Sequence, residues 1–236
     1  MIKIKKIIPA ALLLTSISSA AFADNWNVGA SGSIANMDGT ASDTQVTGAG
    51  VRVAQTRGGK SGDATFPFGS IFVEYAKTMN NDLDLIIGLD YVPFKAEIDS
   101  VSRTDSSLEA GNGDGVSTTG VRKAKLELEN YATLYLQPTF KVGGGTSVYG
   151  KVGYIHGDVK ITGSNTATSS TINAKDTLNG YTVGLGVQHN INKNLFVRLE
   201  GNYTDHDTVT ATDSKQTQFT ADSEIYAGKI AIGYSF

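Results

Sequence analysis

Ten charged side chains fall on the inner face of alternating segments. These are the acids Glu74, Asp84, Asp90, Glu127, Glu129 and Glu200 and the cations Lys125, Lys151, Arg198 and Lys229. Charges enclosed together must be paired or hydrated, because an isolated ion in a low-dielectric interior is strongly disfavoured. The chemistry open to this set is ion pairing across an enclosed space, with Glu200 expected beside Arg198 or Lys229. Such a network fills and locks an interior; if it rearranged, it would admit ions.

Other motifs carry less. Gly145 to Val152 approaches a phosphate-binding loop, but Val152 stands where Ser or Thr is required and Lys151 lies in a strand pattern, not at a helix start. Asp205-His206-Asp207 reads as a solvated loop tip with nothing nearby to complete a coordination set. A nucleophile beside a histidine would suit a lipid-directed enzyme, and His156 has about the right height, yet no serine is evidently paired with it. No catalytic, cofactor-binding or metal-binding residue is therefore assigned.

The elements that position the charges are strands. Period-two alternation recurs in eight segments, at 25–36, 68–78, 82–97, 121–141, 146–161, 177–190, 194–205 and 226–236. In the third, Leu83, Leu85, Ile87, Leu89 and Tyr91 oppose Asp84, Ile86, Gly88 and Asp90. In the fourth, Leu126, Leu128, Ala132, Leu134 and Leu136 share one face opposite Lys125, Glu127, Glu129, Tyr131 and Tyr135, and Asn130 interrupts the apolar row. Connections alternate between tight, at 79–82, 142–145 and 190–194, and long and polar, at about 37–66, 98–120, 162–176 and 206–222. Val51-Arg52-Val53 reads as a loop hairpin or an extension, since a ninth strand would put the chain ends on opposite sides. The pattern predicts an all-β fold, an eight-stranded antiparallel up-and-down transmembrane β-barrel with one smooth and one decorated rim.

Residues 1–23 read as a cleaved signal peptide, with Lys3, Lys5 and Lys6 before an apolar stretch and Ala21-Phe22-Ala23 at its end, leaving 24–236 as the barrel. The exported chain then holds 17 basic and 23 acidic residues, a balance that argues against a nucleic-acid partner. There is no cysteine, so neither a disulfide nor a thiolate metal site is available.

Membrane placement rests on the two faces. Small residues such as Gly88, Gly153, Gly184, Gly186 and Gly233 on the polar face suit a crowded eight-strand interior. Aromatic residues collect at the ends of the apolar faces, with Tyr91, Tyr154, Tyr181, Tyr203 and Tyr226 toward the long loops and Trp26 toward the short turns, forming a two-ring girdle. Charges are absent from the lipid face in this register, apart from Lys77 at a strand end.

The segment 194–203, NLFVRLEGNY, and the ending 230–236, IAIGYSF, resemble the small bacterial outer-membrane barrels of the OmpA-type and opacity-type group. The resemblance implies a cell outer membrane location in a Gram-negative envelope. It also implies that Ile230, Ile232, Tyr234 and Phe236 are the signal read by the outer-membrane assembly machinery. A periplasmic domain of the kind full-length OmpA proteins carry is not expected after Phe236. The expected role is non-enzymatic and without cofactor. The chain would be a monomer in contact with outer-membrane lipid, structural or adhesion-like, with a charged and largely plugged lumen and long loops free to meet an extracellular partner. The alternative is a small porin-like channel for ions or small solutes.

Overall fold

Each alternating segment pairs along its polar backbone with the next, and a chain whose side chains divide by face can bury one face by curling the sheet round it. The computed structural model describes residues 24–46, 52–53, 60–109, 117–166, 170–212 and 218–236. Its strands are β1 (Asp24–Val46), β2 (Arg52–Val53), β3 (Lys60–Thr78), β4 (Leu83–Tyr91), β5 (Ala96–Glu109), β6 (Ser117–Gly143), β7 (Thr146–Asn165), β8 (Ser170–Asn190), β9 (Leu195–Thr212) and β10 (Gln218–Ser235). The order β1-β3-β4-β6-β7-β8-β9-β10 is antiparallel throughout, and β10 pairs back onto β1 from Asn27↔Ser235 to Thr44↔Gln218. Eight staves therefore close a ring, β4 and β5 together making one of them along the edge of β6.

The three tight turns are built as their residue types demand. Gly143, Gly144 and Gly145 all have positive φ, 99°, 59° and 74°, which other residues rarely adopt. Asn192 Oδ1 accepts the N–H groups of Asn194 and Leu195 at the β8–β9 turn, and Asn80 Oδ1 accepts that of Asp82 at the β3–β4 turn.

The opposite rim differs from expectation. Most of what reads as long polar loop is paired strand: β1 and β3 remain in register to Ala41↔Lys60, and β7 and β8 to Asn165↔Ser170. Apart from Phe66, Ile98 and Val209, which are buried, these stretches are polar on both faces, so they lack the apolar alternation of a half-buried strand, but their Thr, Val and Ile content still favours extended backbone. They form a crown above the apolar band. Arg52 and Val53 pair with Val46 and Gln45 as a small hairpin, while Val51 lies outside the described residues.

Two irregularities shape the wall. The predicted strand 82–97 is interrupted at 92–95, where Pro93 has no N–H to donate; Val92 still reaches β6 through its N–H to the Tyr131 carbonyl at 2.8 Å. In β6 Asn130 has φ 52°, and the β6–β7 register shifts between Glu129 and Ala132. One extra residue in a period-two strand exchanges its faces.

Below these irregularities the faces run as read. Ile87, Leu89, Leu136, Val152, Val183, Leu199 and Ile230 point outward and are exposed on the isolated chain, whereas Glu74, Asp90, Lys151, Arg198 and Glu200 are buried within the ring.

Candidate functional site

The lumen is layered, and each layer follows from what neighbouring staves place opposite one another. In the middle layer Arg198 and Glu74 form a two-pronged pair, Nη1 to Oε1 at 2.5 Å and Nη2 to Oε2 at 2.9 Å. Glu74 also accepts from Tyr135 Oη at 2.6 Å and Asn27 Nδ2 at 3.0 Å, and Arg198 Nε donates to Gln188 Oε1 at 2.8 Å. The guanidinium lies 4.6 Å from the ring centre of Phe196 and 5.5 Å from that of Phe72. A charge-assisted, bidentate pair sandwiched by rings is the geometry in which a buried ion pair is best tolerated.

Two further pairs stand beside it. Lys151 Nζ is 2.5 Å from Glu200 Oε2, which also accepts from Tyr149 Oη at 2.9 Å, while Asn202 Nδ2 donates to Glu200 Oε1 at 2.9 Å. Lys229 Nζ is 2.7 Å from Asp90 Oδ2. Three acids meet three cations, so the layer is neutral. Glu200 thus takes Lys151, not Arg198 or Lys229, although Lys229 is its direct neighbour in the β9–β10 register. Lys151 arrives from β7, across β8.

Small residues make room for these partners. Tyr135 lies over Gly88, Tyr149 over Gly186, Phe196 over Gly233 and Phe72 over Gly29, and each is a direct cross-strand pair whose glycine has no space for a Cβ beneath the ring. A ring folded onto a neighbouring glycine covers that strand's bare backbone and turns Tyr135 and Tyr149 toward the carboxylates.

Above lies a layer the alternation does not announce. Ala35, Phe66, Val92, Ala96, Ile98, Leu128, Tyr131, Ile155, Val159, Leu178, Val209 and Ile225 form one buried apolar cluster. Every stave contributes to it. Its sequence signal is a change in the inward row of β7, from Tyr149 and Lys151 to Ile155 and Val159, which continues the period without a break. His206 joins this layer from β9, with Nε2 3.2 Å from Tyr131 Oη and Nδ1 3.3 Å from Ser223 Oγ. It is a buried strand residue, not the tip of a solvated loop.

At the short-turn end the lumen opens into a vestibule of about 460 Å³ lined by Asn27, Asp84, Lys141, Gln188, Asn190 and Asn194 among others. Asp84 sits there, paired with Lys141 at 2.9 Å.

Lys125, Glu127 and Glu129 are not lumen residues. The Asn130 bulge turns Leu128 inward and sets these three on the outer side of the crown. There Lys125 contacts Glu97 and Glu127, Glu129 meets Lys95 at 2.7 Å, and Lys175 meets Asp158 at 2.9 Å. The hydrogen bond from Lys125 holds the Glu97 carboxyl below its ordinary pKa, and that from Lys95 does the same for Glu129. Groups with lowered folded-state pKa stabilise above their unfolded pKa and lose that contribution as pH falls through the folded value. Acidification from pH 7 to about 3, below the ordinary Glu pKa, is therefore expected to lower the protection of the β5 amides, each measured against its intrinsic exchange rate at that pH, while the strands of the apolar band keep theirs. Unchanged β5 protection would show that these pairs do not fasten it.

The girdle residues fall into contacts between adjacent staves: Tyr154 on Tyr181 at 5.4 Å, Tyr203 on Tyr226 at 5.1 Å, and Trp26 on Tyr75 at 5.4 Å at the other end. Tyr91 ends the outward row of β4. Ile230, Ile232, Tyr234 and Phe236 share one outward face, and Phe236 N–H donates to the Trp26 carbonyl at 2.9 Å.

A closed antiparallel ring, aliphatic outside and ionic within, defines an integral membrane β-barrel. The chain belongs to the family described as outer membrane protein beta-barrel domain, which it matches over residues 9–223, and its place is the outer membrane. No curated protein matches it by sequence. Among solved structures it is similar to the outer membrane protease OmpT of Escherichia coli, at 12% identity over 93% of this chain and 99% of that one, with a TM-score of 0.51. It is also similar to OprG of Pseudomonas aeruginosa, at 16% identity, 90% and 95% coverage and a TM-score of 0.49. Ail, the attachment invasion locus protein of Yersinia pestis, matches at 16% identity, 87% and 98% coverage and a TM-score of 0.43. At these identities the likeness is one of fold.

Proposed function

We propose that this protein is a non-enzymatic surface barrel whose lumen is closed to water and ions and whose work is done by the crown, in an adhesion-like or envelope-supporting role. One observation carries the reading: twelve apolar side chains drawn from all eight staves lie across the lumen directly above three ion pairs. An apolar constriction of this kind excludes water, and ions cannot follow where water does not. His156, at the height where a lipid-directed active site would lie, bonds Asn179 at 2.9 Å and not a serine, which supports a role without catalysis. Residues 1–23 are its cleaved leader and Ile230, Ile232, Tyr234 and Phe236 its assembly signal, and the mature chain acts as a monomer in outer-membrane lipid with the crown facing an extracellular partner.

The second reading, a small porin-like channel, is favoured by the vestibule of about 460 Å³ that leads up to the ion pairs. Planar-bilayer recording separates the two. The closed barrel is expected to give no stable conductance steps, in a preparation whose unboiled and boiled forms migrate differently on a detergent gel. Stable steps altered by Glu200→Ala or Lys229→Ala would establish the channel instead.

A further inference from the structure

The backbone ladder of the barrel wall is interrupted at one place. β3 and β4 pair only from Ile71↔Tyr91 downward. Above that level residues 60–70 of β3 pair with β1 alone, and β5 pairs with β6 alone, so two strand edges face each other without a ladder between them. The sequence opposes their joining: Pro67 on one edge and Pro93 at the start of the other supply no N–H.

The residues behind this seam are those of the apolar layer. Phe66 from β3 and Val92, Ala96 and Ile98 from the other edge all belong to the buried cluster, and Phe68 packs against it. A cavity of about 50 Å³ lies beside them, bounded by Phe66, Leu128 and Ile155 and floored by Asp90, Lys151 and Glu200. Outside, Phe94 is 75% exposed next to Lys95. The seam begins where the outward row of β4 ends at Tyr91, at the level of the outer aromatic ring.

An apolar molecule in this layer cannot continue down the axis, because the ion pairs fill the barrel below. Sideways, the wall is closed at the seam by apolar side chains alone, with no backbone ladder to hold them. We propose that the β3–β5 seam is a lateral entrance through which a slender hydrocarbon chain dissolved in the outer leaflet reaches the apolar layer. The small cavity favours an alkyl chain over a bulkier ring, since one aromatic ring occupies an apolar cavity of about 150 Å³.

The chain has no cysteine, so single thiols report access cleanly. Leu178→Cys places one in the apolar layer on β8, across the ring from the seam. Ala231→Cys places another, equally inward, in the ionic layer. The full protein is reconstituted in vesicles, and the folding of each variant is checked by its unboiled gel mobility. Labelling by N-dodecylmaleimide dissolved in the bilayer is then compared with labelling by the charged sulfonatoethyl methanethiosulfonate added in water. Leu178→Cys is expected to react with the alkyl reagent at least about tenfold faster than Ala231→Cys, which is enclosed at the packing density of a protein interior. Adding Phe94→Asp at the mouth, or Ala96→Trp within it, is expected to slow that reaction at least about fivefold, since an alkyl chain must then pass a charge or a filled gap. Phe94 is exposed, so Phe94→Asp tests the route even if Ala96→Trp does not fold. Equal rates at the two thiols, or a rate at Leu178→Cys that Phe94→Asp leaves unchanged, would overturn the lateral entrance. Faster labelling by the charged reagent would do so too, by showing that access is aqueous and from the crown. None of these readouts depends on conductance or adhesion.

Discussion

Arg198→Met is expected to destabilise the folded barrel by about 3–5 kcal/mol, the cost of breaking a buried ion pair from one side. Glu74 would keep Tyr135 and Asn27 as donors but would lose both guanidinium bonds while remaining buried. Gln188 would lose the donor to its Oε1 as well. Adding Glu74→Leu removes the stranded charge, and the double variant is expected to recover most of the loss, because apolar groups of similar volume often replace a buried pair at little cost. Urea-dependent folding into vesicles, followed by gel mobility, measures all three proteins. If the single variant costs less than about 1 kcal/mol, the value of an exposed pair, the pair is solvated and the lumen is wetter than its packing indicates.

Most of the barrel is legible in residues 24–236, and the reason is geometric. A strand with lipid on one face and a crowded lumen on the other must alternate strictly, so Leu83 to Tyr91 or Tyr226 to Phe236 disclose direction, face and neighbours' phase together. Across the strictly alternating strands Glu74, Asp90, Lys151, Arg198 and Glu200 are buried within the ring, and Lys229 meets Asp90 there. Their partners are less legible, because period two gives a face and not a distance around a ring. Lys151 reaches Glu200 from two staves away, past Gly184 and Gly186, which no pattern within either strand encodes. Strict alternation places Lys125, Glu127 and Glu129 one residue out of phase. Asn130 is visible as a break in the row, but nothing in its type says that the backbone takes φ 52° there and exchanges the faces above it. The crown reads as loop because neither of its faces is apolar, and backbone pairing needs no side-chain signature once a hairpin is already in register. The apolar layer is illegible for the opposite reason. Ile155, Val159, Leu178 and Ile225 occupy inward positions of strands whose lower halves are polar inside.

Leu136→Arg tests the orientation on which the membrane assignment rests. Leu136 lies between Ile87 and Val152 in register, midway between the Leu134 and Pro138 positions of the outward row, and is 46% exposed on the isolated chain. If that face meets acyl chains near the bilayer midplane, arginine there costs about 2–4 kcal/mol of folding free energy, and near the interfaces only about 0–1. Val142→Arg, on the exposed Val142 beside the β6–β7 turn, is therefore expected to be nearly neutral. Leu136→Ala separates the charge from the lost side chain: it removes apolar area without adding an ion, so most of the arginine effect should be absent from it. The difference between the two arginine variants, read in the same vesicle-folding titration, measures depth and not packing. A water-facing surface would show no such gradient, since arginine is well hydrated at either height. Equal and small effects at Leu136 and Val142 would mean that the aliphatic row meets water, and the barrel's place in lipid would then have no support from its own side chains.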